Sequence, residues 1–376
     1  MTQTHIAAFV TAGLSLTLAG CEIGPKVTSQ NGYRGTGLNQ IVNKSKVTPQ
    51  QAIPANVYET PDDSGPRASE TYQNVPVLGG VSTERFNHFM AQMNNWVAPK
   101  TGDPNNVGCN YCHNPENMAS DEKYPKVVSR RMIQMTQNIN ANWSSHVKQT
   151  GVTCWTCHRG NTIPLNRWSL DDKAGNGTIT GEKFGQNTPD ARVAFASLPY
   201  NGFGKYLLGS SSMNARVSNT AIHPSPYHKV STKDAESVYG FMMHMSSSLG
   251  VNCTYCHNSG SFASWNMSQP QRALAWYAIR MVRNSNEEYV QPLAGVLPAD
   301  QKGPNGDPYK INCATCHNGI NKPMYGVSMR AENPVLWPSA ATLAGIEAGT
   351  VAPAAMMAPK ANPNAAAPVS GSTADQ

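Results

Sequence analysis

The feature that most constrains this chain is a five-residue pattern written four times: Cys109-Asn-Tyr-Cys112-His113, Cys154-Trp-Thr-Cys157-His158, Cys253-Thr-Tyr-Cys256-His257 and Cys313-Ala-Thr-Cys316-His317. Two thiols at this spacing can add across the two vinyl groups of a haem, and the adjacent His then ligates its iron. One such Cys pair could equally hold zinc or cycle as a redox dithiol. Four, each followed directly by His, point instead to four haem c groups, with His113, His158, His257 and His317 as proximal axial ligands. Eight of the nine cysteines are used in this way. None is left for a disulfide framework, and only Cys21 stands apart.

Covalent haem relieves the chain of part of its core, because the cofactor brings apolar surface that side chains would otherwise supply. The 31 Gly and 27 Pro fit a chain rich in loops. The expected fold is mainly α with extensive loops, a multihaem cytochrome c built as two pseudo-symmetric haem-pair halves. Residues 81–160 and 232–330 each read as helix, haem motif, Pro-initiated helix, haem motif. Tyr111-Cys-His-Asn114 returns as Tyr255-Cys-His-Asn258, Arg131-Met132 as Arg280-Met281, and Pro125 and Pro270 open corresponding helices. Around the halves lie an irregular, extended arm (21–80), a connector (161–231) and an Ala/Pro-rich tail (331–376) whose composition predicts disorder.

Residues 1–20 carry no Lys, Arg, Asp or Glu, and Ile6 to Ala19 form an apolar run. It falls short of the roughly 20 residues a membrane-spanning helix needs and reads as a signal peptide. Leu18-Ala19-Gly20-Cys21 resembles a lipoprotein cleavage box, although no basic residue precedes the apolar run. Cys21 is therefore the expected site of lipidation, and two or three acyl chains there would anchor the protein to a membrane.

An electron-carrying haem takes Met or a second His as its sixth ligand. Three motifs follow a Met-bearing helical pattern: Ser82 to Trp96, Pro125 towards Trp143, and Val238 to Leu249 with Gly250 as its stop. Each offers a choice, Met90 or Met93, Met132 or Met135, Met242 or Met245, and spacing does not separate ligand from core filler. Before the fourth motif there is no Met between Met281 and Cys313. His146, His223 and His228 are the candidates there.

These motifs, the three Met helices and the lipoprotein box resemble the tetrahaem cytochrome subunit of purple-bacterial photosynthetic reaction centres. The likeness extends beyond the motifs, through Tyr124-Pro125 to Trp143, Gln149-Thr-Gly-Val-Thr-Cys154 and Pro270 to Arg283. It implies Met90, Met132 and Met242 as sixth ligands of the first three irons, and His146 as that of the fourth. The internal repeat disagrees on the last point, since it would make Met281, the counterpart of Met132, the fourth ligand. Met281, however, lies one helical turn further from its Pro than Met132 does. His146 crossing to the iron of His317 explains both the displaced Met and the His without a counterpart.

The resemblance further implies an electron carrier and not an enzyme, on the periplasmic side of the photosynthetic membrane. It would dock on the L- and M-type reaction-centre subunits. There it would pass electrons from a soluble donor, such as a cytochrome c or a high-potential iron–sulfur protein, to the photo-oxidised special pair. A multihaem reductase would instead leave one iron without a sixth protein ligand. A free-standing carrier would share the haem chemistry but lack the photosynthetic partner. The formal charge of +6 does not indicate nucleic acid, because two carboxylates on each of four haems outweigh it.

Overall fold

The computed structural model describes residues 53–170, 183–209, 215 and 232–337, with the backbone of two short strands nearer the N-terminus. The signal segment, Cys21, His223, His228 and the tail after residue 337 lie outside the described residues. The chain divides into two compact units, 1–53 and 54–376. In the first, β1 (Lys26–Gln30) pairs antiparallel with β2 (Asn39–Asn43), so that Val27 faces Val42 and Thr28 faces Ile41. An irregular arm was expected here. The short ladder is carried by β-branched residues, which suit a pleated surface.

The second unit is helical. Its α-helices run in order α1 (Ala68–Thr71), α2 (Thr83–Val97), α3 (Tyr124–Asn142), α4 (Ser144–Val147), α5 (Cys154–His158), α6 (Gly202–Tyr206), α7 (Thr232–Leu249), α8 (Gln271–Asn284) and α9 (Cys313–His317). The long ones start and stop where the sequence signals them. Ser82 caps α2 by accepting from the Arg85 N–H, which satisfies one of the donors left open at a helix start. Pro125 occupies the first turn of α3, where a missing N–H costs nothing. Gly250, at φ 64°, ends α7 in the left-handed conformation that Gly adopts without strain. α8 follows Pro270 and widens into a π turn at Ser285–Val290.

Two cores hold these helices together. In one, Met135 and Ile139 of α3 and Trp143 just beyond its end meet Phe203, Phe241 and Met281. In the other, Phe89, Met93 and Trp96 of α2 meet Ile133, Cys154 and Leu336. Fully burying a side chain such as Phe89 stabilises by about 1.5–3 kcal/mol relative to leaving it in water. Asn140 clamps the loop ahead of α5. Its amide donates to the carbonyls of Val152 (2.9 Å) and Leu336 (2.9 Å), and its oxygen accepts from the Val152 N–H (2.7 Å). Gly151 packs so closely here, at φ 62°, that an added Cβ would lie 2.4 Å from the Trp337 ring. Among the described residues no helix is long and apolar enough to cross a membrane.

Candidate haem centres

The four motifs take two local forms. The second and fourth are the short α-helices α5 and α9. Each is started by a reciprocal cap, Thr153 with Thr156 and Asn312 with Thr315. Each is ended by a left-handed residue, Arg159 at φ 50° and Asn318 at φ 53°. The first and third are looser 3-10 turns, Gly108–Tyr111 and Cys253–Tyr255. The residue before the second Cys separates them. Where it is Thr156 or Thr315, its hydroxyl accepts the N-cap N–H at 2.9 and 3.0 Å. Where it is Tyr111 or Tyr255, no such short hydroxyl is available.

Every motif His is held in the same way. Nδ1 donates to a backbone carbonyl: His113 to Met118 (3.2 Å), His158 to Asn161 (3.0 Å), His257 to Phe262 (3.0 Å) and His317 to Ile320 (2.9 Å). A carbonyl can only accept, so the proton sits on Nδ1 and Nε2 keeps its lone pair. This is the usual arrangement of a metal-ligating imidazole, oriented by what its other nitrogen touches. Burial lowers the pKa of all four rings from the ordinary His value, which keeps them neutral.

His146 is brought to the fourth motif. Its ring centroid lies 6.0 Å from that of His317, and its Nδ1 donates to the Leu274 carbonyl of α8 (3.1 Å). Two imidazoles bound to one metal through nitrogens at roughly 2 Å have their centroids about 6 Å apart, so the separation of this pair is compatible with a shared metal. Burial, then His317 beside it, pushes the pKa of His146 down to about 3. Met281 is instead packed in the first core with Val282 and Tyr289. His88 and His244 are also buried, but both are occupied elsewhere. His88 Nε2 meets Asn56 Oδ1 (2.8 Å) and the Tyr58 carbonyl (3.2 Å), while His244 lies against Phe203 (4.5 Å between centroids) with Ser248 on its Nε2 (3.2 Å).

At the first motif a cavity of ≈ 460 Å³ is lined by Met90, Met93, Cys109, Cys112, His113 and Ile133 among others. Its size falls in the range of cofactor pockets, about 300–1,000 Å³, and it is mostly apolar, as a porphyrin face requires. Met93 is built into the second core, whereas Met90 is only half-buried at its margin. Met135 is likewise a core residue and Met132 half-buried, while Met242 and Met245 are both half-buried beside the first core.

The second and fourth motifs touch. Cys157 Sγ lies 2.9 Å from Cys316 Sγ, and the Arg159 guanidinium bridges the two turns. It donates to the Thr156 carbonyl (3.0 Å) and the Cys316 carbonyl (3.2 Å). Burial pushes the Cys154 and Cys313 thiols up to about 12 and that of Cys256 to about 11. Among the described residues no three His, Cys, Asp or Glu side chains converge on one point, whereas a structural zinc site needs four such donors. Sequence reasoning marked Arg159 as a charge beside its motif, but neither its bridge between the two turns nor the orienting carbonyls was found, because backbone acceptors leave no residue-type signal.

Comparison with known proteins agrees with this chemistry. Residues 23–337 match the family described as photosynthetic reaction centre cytochrome c subunit. The chain is 47% identical over 330 residues to the photosynthetic reaction center cytochrome c subunit of Rubrivivax gelatinosus, covering 87% of this chain and 88% of that protein. It is 44% identical to the subunit of the same name from Thermochromatium tepidum, over 92% of this chain and 83% of the relative. The corresponding figures for Roseobacter denitrificans are 37%, 83% and 85%. A chain that holds imidazole and paired thiols in this way, and matches these proteins over most of their length, belongs to the family of photosynthetic reaction centre cytochrome c subunits.

Proposed function

We propose that the chain is the periplasmic electron-transfer subunit of a photosynthetic reaction centre, carrying electrons from a soluble donor through four c-type haems to the photo-oxidised special pair. Haem c, when bound, supplies reversible one-electron chemistry at iron. The residues do the rest. Cys109 and Cys112, Cys154 and Cys157, Cys253 and Cys256, Cys313 and Cys316 fix each group covalently. His113, His158, His257 and His317 would ligate the irons through Nε2, and Met90, Met132, Met242 and His146 would supply the sixth ligands. The lesser burial of Met90 and Met132 than of Met93 and Met135 supports that choice, since the core already occupies the latter.

The observation that carries the reading is the closed fourth site, where His146 faces His317. If His146 takes the sixth position there, no room is left for a substrate, which favours an electron carrier over a reductase. One bis-His haem of lower potential then stands beside three His/Met haems. The pairing of the motifs by local form, first with third and second with fourth, supports two pseudo-symmetric halves. So does a repeated tie: Gly160 N–H bonds the Trp96 carbonyl of α2 (3.1 Å) as Gly319 N–H bonds the Ser248 carbonyl of α7 (2.8 Å). Acylation of Cys21 would hold the subunit at the membrane, against L- and M-type subunits.

Flash excitation of membranes carrying this subunit tests the function directly. The expected result is oxidation of a c-type haem after each flash and its re-reduction by added cytochrome c or high-potential iron–sulfur protein. Photo-oxidised special pair that returns without any haem absorbance change would refute it. Carbon monoxide should leave the spectrum of the reduced protein unchanged.

A further inference from the structure

Three tryptophans are buried among the described residues: Trp96, Trp143 and Trp168. Trp168 donates its indole N–H to the Ile311 carbonyl at 2.9 Å. Trp96 and Trp143 are wholly buried, at 0% exposure, yet neither indole N–H has an acceptor. An indole nitrogen only donates, and a buried Trp normally finds a partner. Two such donors in well-packed cores mark places where an acceptor belongs.

Their positions say which acceptor. The Trp96 carbonyl takes the N–H of Gly160 (3.1 Å), two residues after His158, and its ring packs in the same core as Cys154. The Trp143 carbonyl takes the N–H groups of His146 (2.8 Å) and Val147 (3.1 Å), so Trp143 begins the turn that aims His146 at His317. One indole therefore belongs to the second motif and the other to the fourth. Buried arginines belong to the same two regions, where Arg159 donates to the Thr156 and Cys316 carbonyls, Arg280 to that of Trp276 and Arg283 to that of Tyr206. Arg159 precedes Gly160, and Arg280 and Arg283 flank the stretch of α8 whose Val282 shares a core with Trp143. Arg280 is pushed down to about 10 by burial and by Arg283 beside it. Buried guanidinium groups in a region favour an anion there over a neutral group.

We infer that the indole N–H groups of Trp96 and Trp143 donate to propionate carboxylates of the haems at the second and fourth motifs, one indole to each haem, and so help set their potentials. The inference rests on the haem assignment proposed above. A donor stabilises the ionised carboxylate and offsets its charge. Losing it should lower the potential of that haem and move the acid step in its potential–pH profile to higher pH.

Trp96→Phe and Trp143→Phe in the four-haem protein test this, since each keeps an aromatic ring and removes the N–H. Spectrally resolved redox titration from acid to neutral pH should show one haem shifted in each variant. In Trp143→Phe it should be the bis-His haem, and in Trp96→Phe a different one. Unchanged profiles, or shifts spread over all four haems, would overturn the inference. Ultraviolet resonance Raman of the unaltered protein gives an answer even if a variant fails to mature. Buried indoles with no hydrogen-bonded N–H overturn it, while a bonded N–H lost together with the potential shift supports it. A bonded N–H lost without any shift makes the acceptor a buried water and also overturns it. The underlying haem assignment fails separately, by a bis-His spectrum that survives loss of His146.

Discussion

The second and fourth motifs differ from the first and third more than any motif differs from its partner in the other half. In the inner pair the first Cys is buried, at 8% and 7% exposure for Cys154 and Cys313; in the outer pair Cys109 and Cys253 are exposed. The inner turns are full α-turns with reciprocal caps, and the outer ones are 3-10 turns beside solvent. The inner His donates three residues ahead, to Asn161 or Ile320, and the outer His five ahead, to Met118 or Phe262. One pentapeptide thus folds in two ways. What selects the form is the residue before the second Cys and the core that surrounds it.

The strongest way to break this difference is to exchange that residue. Thr315 is 4% exposed and Thr156 wholly buried. Thr315→Tyr removes a cap, worth about 1 kcal/mol, and forces a ring into a filled core, which typically costs about 1–3 kcal/mol more. Thermal unfolding followed by haem circular dichroism should show a destabilisation of a few kcal/mol. The reverse change, Tyr111→Thr at an outer motif, should cost less than half as much. Equal losses at the two sites would show that local form does not follow this residue.

His146→Ala acts on one inner site only. The fourth haem should lose its bis-His spectrum and the lowest of the four potentials should move, while the three His/Met haems stay in place. Electron paramagnetic resonance with redox titration reads both. A bis-His signal that persists would rule out His146 and return His223 and His228 to contention. At the outer first site, Met90→Leu should abolish one Met–iron charge-transfer band with a stability change below about 1.5 kcal/mol, because the volume is conserved. Met93→Leu should leave that band intact. The opposite pattern would move the ligand by one helical turn.

These contrasts also show what the sequence could and could not reveal. Helix starts at Ser82 and Pro125, the stop at Gly250 and the helix after Pro270 were legible because caps, Pro and Gly act locally. The motif cysteines and histidines were legible because the chemistry admits few substitutes. The approach of His146 to His317, 171 positions along the chain, was expected from the family resemblance and from the mismatch between the two halves, not from spacing. The contact of Cys157 with Cys316, the bridging by Arg159 and the β1–β2 ladder were not legible. They depend on long-range packing or on backbone groups that every residue carries. The Thr-for-Tyr difference within the motifs is present in the sequence, but its meaning depends on the cap geometry.

The smallest expected effect sharpens the comparison inside the outer pair. Tyr111 Oη stands 3.4 Å from Tyr124 Oη, a long contact between two hydroxyls. Tyr255 Oη accepts from Asn321 Nδ2 at 3.2 Å, and Asn321 is itself buried, at 8% exposure, just beyond the fourth motif. Burial raises the pKa of both phenols above the ordinary Tyr value, so neither contributes a charge near neutral pH. Tyr→Phe at each position keeps the ring and removes one oxygen. At 111 the loss leaves a second hydroxyl able to turn elsewhere, and the change should stay within about 0.5 kcal/mol. At 255 it strands a buried amide donor, which costs about 1–3 kcal/mol when nothing replaces the acceptor. Denaturant unfolding of the two variants should therefore rank Tyr255→Phe as the more damaging. Equal, negligible changes would mean that Asn321 finds another acceptor, and that the third motif is tied to the fourth by its haems alone.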